Sequence, residues 1–141
     1  MSESTEDLLN RLLVIEYRSL PMYLLDATPW THPGDGKAAA ALRGIVATQR
    51  ALAQRLAEAI MNRGGTVEKG EYPMDFTELN FLSLDYLMKE LVRYEKQQVT
   101  QVERIASRML DPEARELALE VLGAEKAHVE MLQEFAGQTA A

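Results

Sequence analysis

The stretch Val121-Leu122-Gly123-Ala124-Glu125-Lys126-Ala127-His128-Val129-Glu130-Met131-Leu132 decides how this chain is read. Its apolar stripe runs from Leu117 through Val121 to Leu132 and Phe135, the spacing of one helix face. Glu125 and His128 interrupt that stripe near its middle. Three residues apart on a helix, they project from the same face, and that face is the one meant for a core. A carboxylate set there needs a partner, because burying it alone costs several kcal/mol.

Working outward, Pro and Gly residues divide the chain into four long segments with apolar residues at helical spacing. The breaks are Pro29–Gly36, Gly64–Pro73 and Asp111-Pro112. Segment one runs from about Thr5 to Asp26, with Thr5 as its expected cap, Glu6 and Asp7 in its first turn, and a kink expected at Pro21. Its stripe is Leu9, Leu12, Leu13, Leu20, Tyr23 and Leu24. Segment two runs from about Lys37 to Arg63 and is stopped by Gly64-Gly65, as a left-handed cap would stop it. Segment three begins between Phe76 and Ser83 and ends near Leu110, with Asp75 and Glu78 at capping-box spacing. Segment four starts at Pro112 behind an Asp111 N-cap and is expected to end at Gly137. No strand pattern is present, so the fold class is all-α, a single domain over residues 1–141.

Each segment carries a polar residue inside its stripe. Glu16 lies between Leu13 and Leu20, Gln49 between Val46 and Leu52, and Glu95 between Leu91 and Val99. The tight Asp-Pro turn makes segments three and four antiparallel neighbours. Glu95 is 16 residues before Asp111, while Glu125 is 14 and His128 17 after it. At 1.5 Å per residue these positions match to about 2–3 Å along the axis. A carboxylate from one helix therefore meets a carboxylate and an imidazole from the next. A divalent cation removes the cost of gathering such acids, and oxygen plus imidazole ligands suit Mn, Fe or Zn.

Composition excludes much else. Lys and Arg number 15 against 22 Asp and Glu, a net charge of −7, which argues against a nucleic-acid partner. There is no cysteine, which removes thiolate zinc sites, iron–sulfur clusters and cysteine nucleophiles. The acidic N-terminus does not read as a secretory signal, and no apolar run approaches the ~20 residues of a membrane span. A cytoplasmic protein is expected.

The chain resembles the ferritin-like superfamily, which includes bacterioferritins and rubrerythrins, over all four helices. In that family helices one and three each give a Glu, and helices two and four each give Glu-x-x-His. Glu16 matches the helix-one ligand, Glu95 the helix-three ligand, and Glu125 with His128 the helix-four pair. Leu56-Ala57-Glu58-Ala59-Ile60 resembles the tail of the family's second helix. Aligned from the glycines, Gln49 stands at that helix's Glu and Leu52 at its His. The resemblance implies a four-helix bundle with one long crossover between helices two and three. The dozen or so linking residues can span ~40 Å, the length of a ~27-residue helix.

The expected metal ligands are Glu95, Glu125 and His128 first and Glu16 second, holding one Fe, Mn or Zn ion. The lost pair argues against a coupled di-iron centre and the ferroxidase or oxygenase activity it would support. A homodimer is expected, since related bundles commonly pair. The rival reading is a metal-free helical module acting through its surface or an oligomer interface. In it the site is only a polar core, with His128 charged and paired to Glu95 or Glu125, and Gln49 bridging by hydrogen bonds. A third reading completes the site with oxygen ligands from an external cofactor or substrate. His32, in Trp30-Thr31-His32-Pro33, reads as a loop residue, Tyr23 and Tyr94 flank the site, and the seven Met residues read as core fillers.

Overall fold

The computed structural model describes residues 3–27, 36–79 and 84–139, with side chains described at 3–25, 36–79 and 86–135. They form five α-helices: α1 (Thr5–Tyr17), α2 (Leu20–Ala27), α3 (Gly36–Asn62), α4 (Leu84–Arg108) and α5 (Pro112–Thr139). A short 3-10 turn spans Met74–Leu79, and no strand occurs among the described residues. None of the described helices is long and apolar enough to cross a membrane.

The first segment is two helices, not one kinked helix. Proline 21 has no N–H to offer the Tyr17 carbonyl, and its ring occupies the space that carbonyl would need. The break therefore falls upstream of the proline. Arg18 N–H closes α1 onto Val14 O at 2.8 Å. Ser19 then caps α2: its carbonyl takes Tyr23 N–H at 3.1 Å and its Oγ takes Met22 N–H at 3.2 Å. At the other end of α1 the cap is Ser4, which accepts Asp7 N–H at 3.1 Å, one residue before the expected Thr5.

Helix α3 ends on glycine. Gly64 adopts φ +79°, and Gly65 N–H returns to Ile60 O while Gly64 N–H returns to Met61 O, both at 2.9 Å. This is the double-bonded left-handed stop, and a Cβ on Gly65 would lie 2.9 Å from Ile60 Cγ2. Asp75 does not cap α4, because it lies inside the 3-10 turn. Asp111 does cap α5, accepting Ala114 N–H at 2.9 Å and the Arg63 guanidinium at 2.5 Å. Helix α5 continues through Gly137, beyond the end expected for it.

After α3 the chain runs beside α1. Asn10 exchanges two hydrogen bonds with the Glu68 backbone at 3.0 and 2.9 Å. Arg18 Nε donates to the Lys69 and Gly70 carbonyls at 3.3 and 3.1 Å, and Tyr72 meets the ring of Tyr23 edge-on at 5.3 Å. The link thus follows α1 from its first half to beyond its end. Pairs between helices fix their directions. Arg55 pairs with Glu120 and Arg63 with Asp111, so α3 and α5 are antiparallel. Arg108 reaches Glu3 at 3.5 Å, setting the end of α4 at the start of α1.

The apolar interior falls into two clusters. One holds Leu9, Leu12, Leu13, Leu52, Leu56, Ile60, Val102, Ile105 and Val121. The other holds Leu20, Leu24, Leu42, Ile45, Val46, Leu87, Met88, Leu91 and Leu132. Methionine is a core filler only in part: Met22, Met88 and Met109 are buried, whereas Met61, Met74 and Met131 face solvent.

Candidate metal centre

Between the two clusters lies a polar layer. On α1, Glu16 separates Leu13 of one cluster from the other cluster's Leu20, which lies past the break. On α3, Gln49 separates Leu52 from Val46. On α4, Glu95 separates Val102 from Leu91. On α5, Glu125 and His128 separate Val121 from Leu132. Helical repeat puts each of these on the inward stripe, and the antiparallel pairing brings them to one level. Glu16, Gln49 and Glu95 are fully buried, Glu125 is 1% exposed and His128 5%.

These side chains are short of partners. Eight buried side-chain nitrogen and oxygen atoms make no hydrogen bond among the described residues. They are both carboxylate oxygens of Glu16, Glu95 and Glu125, with Gln49 Nε2 and His128 Nδ1. Native cores satisfy nearly all their buried polar atoms, so a cluster of orphans in one place calls for a ligand-based account. Glu95, Glu125 and His128 each offer a ligand atom, all within 4.8 Å of one another. Ligands on a single ion stand about 3–4 Å apart, given bonds of ~2.1 Å, so small side-chain movements would close the trio. Glu16 stands beside Glu125 and feels the charge of both Glu125 and Glu95.

The electrostatics follow from burial. Glu16 is pushed well above the usual carboxylate range, first by desolvation and then by the Glu125 charge. Glu95 is pushed up in the same way, by desolvation and then by Glu125, with the Gln49 amide working in the opposite direction. His128 is held below its ordinary value, because burial outweighs the attraction of Glu125. The imidazole thus favours its neutral form, the form that ligates metals. This differs from the charged, paired His128 of the metal-free reading. Gln49 Oε1 accepts from Ser19 Oγ at 2.6 Å, while its amide acts on Glu95.

Tyr94, half-buried behind Glu95, is pushed up by desolvation and by the neighbouring acids, and a backbone hydrogen bond with Leu20 opposes this. Its ring meets Phe76 edge-on at 5.5 Å. His32 and Trp30 lie outside the described residues. Glu113, Glu116 and Glu120 face solvent, as their outer-face positions predict. Ser19 is the site residue that spacing alone does not reveal. Its signal is a serine two places before a proline, the pattern of an N-cap followed by a first helical turn.

An all-helical protein with acids and an imidazole meeting in mid-core is the class defined by this fold and site. A family model of the ferritin-like domain matches residues 6–141, and the chain belongs to that family. No curated protein and no solved structure matches it.

Proposed function

We propose that the protein is a ferritin-like four-helix bundle whose core layer binds one divalent metal ion, Fe, Mn or Zn. In this reading α1 and α2 together form the first helix. The link beside α1 is then the one long crossover, and the antiparallel pairings around α1, α3, α5 and α4 support it. The observation that carries the metal reading is the gathering of all eight orphaned buried polar atoms into one layer. Glu95, Glu125 and His128 would hold the ion, with Glu16 next to them as a fourth carboxylate. A bound divalent ion would supply the positive charge that offsets three buried carboxylates. Gln49 and Leu52 stand where a second ion would need a carboxylate and an imidazole, so the residues fit one ion and not two.

The metal-free module has less support. A working polar network satisfies its members, whereas among the described residues the three carboxylates, Gln49 Nε2 and His128 Nδ1 make no hydrogen bond of good geometry. We also infer a homodimer in a cytoplasmic setting, with neither nucleic acid nor membrane as partner. The charge of −7 supports the exclusion of nucleic acid, and the lack of cysteine fits a reducing compartment.

The test is direct. The untagged full-length chain is purified, its bound metals measured, and its melting temperature followed as Mn(II), Fe(II) and Zn(II) are added. One ion per chain and a rise that His128→Ala abolishes are expected. No bound metal, and no rise dependent on His128, would sink the reading.

A further inference from the structure

Ser19 sits in the break between α1 and α2 with 1% of its surface exposed. Its Oγ already accepts the Met22 N–H at 3.2 Å. Its own proton is therefore available to one acceptor, and Gln49 Oε1 lies 2.6 Å away. The two ends of the Gln49 amide have nearly the same shape and opposite chemistry. With Oε1 committed to Ser19, the NH2 must point the other way. Nε2 is buried without a partner of good geometry, and the amide acts on the Glu95 carboxyl as a donor would. Turned round, the amide would set its NH2 against Ser19 Oγ, which already takes the Met22 N–H, and the 2.6 Å bond from the serine hydroxyl would be lost. The orientation present gives the serine proton its acceptor.

We propose that Ser19 and Gln49 form a lock that holds the amide NH2 toward the carboxylates, positions Glu95, and restricts the layer to a single divalent ion. This rests on the metal reading above. A second cation on the α3 side would meet N–H protons where it needs a lone pair. Three residues on, where α5 follows Glu125 with His128, α3 follows Gln49 with Leu52, which offers nothing. Ser19 can serve because Pro21 breaks the helix there and makes Ser19 a cap. Its hydroxyl is held by Met22 N–H and aimed across to α3. Pro21, Ser19 and Gln49 thus act as one unit. Ser19 is a positioning residue, since it reaches the ion only through Gln49 and Glu95.

The chelator-treated full chain is titrated with Mn(II), Fe(II) and Zn(II) separately, and ions bound per chain are counted by equilibrium dialysis and metal analysis. One ion is expected for the parent chain, one for Leu52→His alone, in which the amide still presents its donors, and two for Gln49→Glu combined with Leu52→His, which supplies both ligands that α3 lacks. Ser19→Ala is expected to keep one ion but to weaken binding about tenfold, the usual effect of losing a group that orients a ligand. Ser19→Thr, which keeps the hydroxyl, is expected to restore it. One ion in the doubly substituted chain, two in Leu52→His alone, or unchanged affinity in Ser19→Ala would each overturn the lock while leaving the metal reading standing, and two ions in the parent would overturn both. No ion in the parent would sink the metal reading and the lock together. Should the doubly substituted chain fail to fold, the Ser19 series decides alone.

Discussion

Glu125 faces every other acid of the layer, so Glu125→Gln isolates what the buried charge costs. The substitution keeps the side chain's size and replaces one oxygen by an NH2 that can donate to Glu16 or Glu95. Two unit charges 4.8 Å apart, the outer limit of the ligand-atom separations, repel by about 3.5 kcal/mol at an effective permittivity of ~20. The full figure is not realised, because the raised Glu16 and Glu95 take up protons before bearing it. Relief of about 1–3 kcal/mol is expected, the range for easing an unsatisfied buried polar group. For a chain of this length that is about 3–10 °C in melting temperature. In chelator at pH 7.5 the variant should therefore melt higher than the parent, and near pH 4.5 the gain should shrink. With metal the order should reverse. At an ion concentration 100 times the dissociation constant the parent gains about 2.7 kcal/mol, and the variant, short of a ligand, gains little. Differential scanning calorimetry with and without metal at both pH values reads all four corners. A variant less stable than the parent in chelator at pH 7.5, or one stabilised equally by metal, would refute the reasoning.

Other expectations follow from the same structure. Acid and base act on the metal-free chain in opposite senses. The raised Glu16 and Glu95 contribute most below about 4.5 and lose their contribution as the pH climbs through their folded values. The lowered His128 contributes above 6.5 and loses its contribution as the pH falls through its folded value. The carboxyl contribution to the melting temperature of the metal-free chain should therefore decline as the pH climbs from 4.5 through the folded values of Glu16 and Glu95, and Glu16→Gln should flatten that decline; a steeper one would count against it. Metal affinity should fall on acidification, because the ligands must lose their protons, and a competition titration from pH 8 to 5.5 measures it. Asp111→Ala removes both the cap of α5 and the partner of Arg63, and should lower the melting temperature by a few degrees. Asp111 is held below its ordinary value, first by Ala114 N–H and then by Arg63. That deficit should thus be present above pH 3.8 and fade as the pH falls through the folded value. Gly64→Ala should cost about 1 kcal/mol in urea melts, since φ +79° disfavours any side chain, and Gly65→Ala should cost more because its Cβ meets Ile60.

Much of the helical framework is written in local signals. Asp111-Pro112 and Gly64-Gly65 are stops and starts whose chemistry is complete within a few residues, so spacing alone places them well. The break at Arg18–Ser19 is less legible, because a proline acts on the carbonyl four residues before it. A kink at Pro21 is the natural reading, yet the disruption appears upstream. The 3-10 turn at Met74–Leu79 was hidden for a different reason. Asp75 and Glu78 have the spacing of a capping box, but Phe76 is anchored by tertiary packing against Tyr23 and Tyr94. A pattern of four residues carries no information about rings that arrive from two other helices.

The layer itself was legible because a polar residue in an apolar stripe is rare and each of the four segments shows one near its middle, the last showing two. Glu16, Gln49, Glu95, Glu125 and His128 all stand out by that rule, and all five are buried. The rule says which residues turn inward. It says nothing of which way an amide turns or which hydroxyl directs it, since those depend on Ser19 and Gln49, 30 residues apart, meeting across two helices. The division of labour has a physical basis. Burial is set by periodicity within one helix, which sequence records directly. Orientation within the layer is set by donor and acceptor counting between helices, which only packing determines. The residues of the layer, and the ligands missing at Gln49 and Leu52, are therefore legible in the sequence, and the hydroxyl that meets the amide is not.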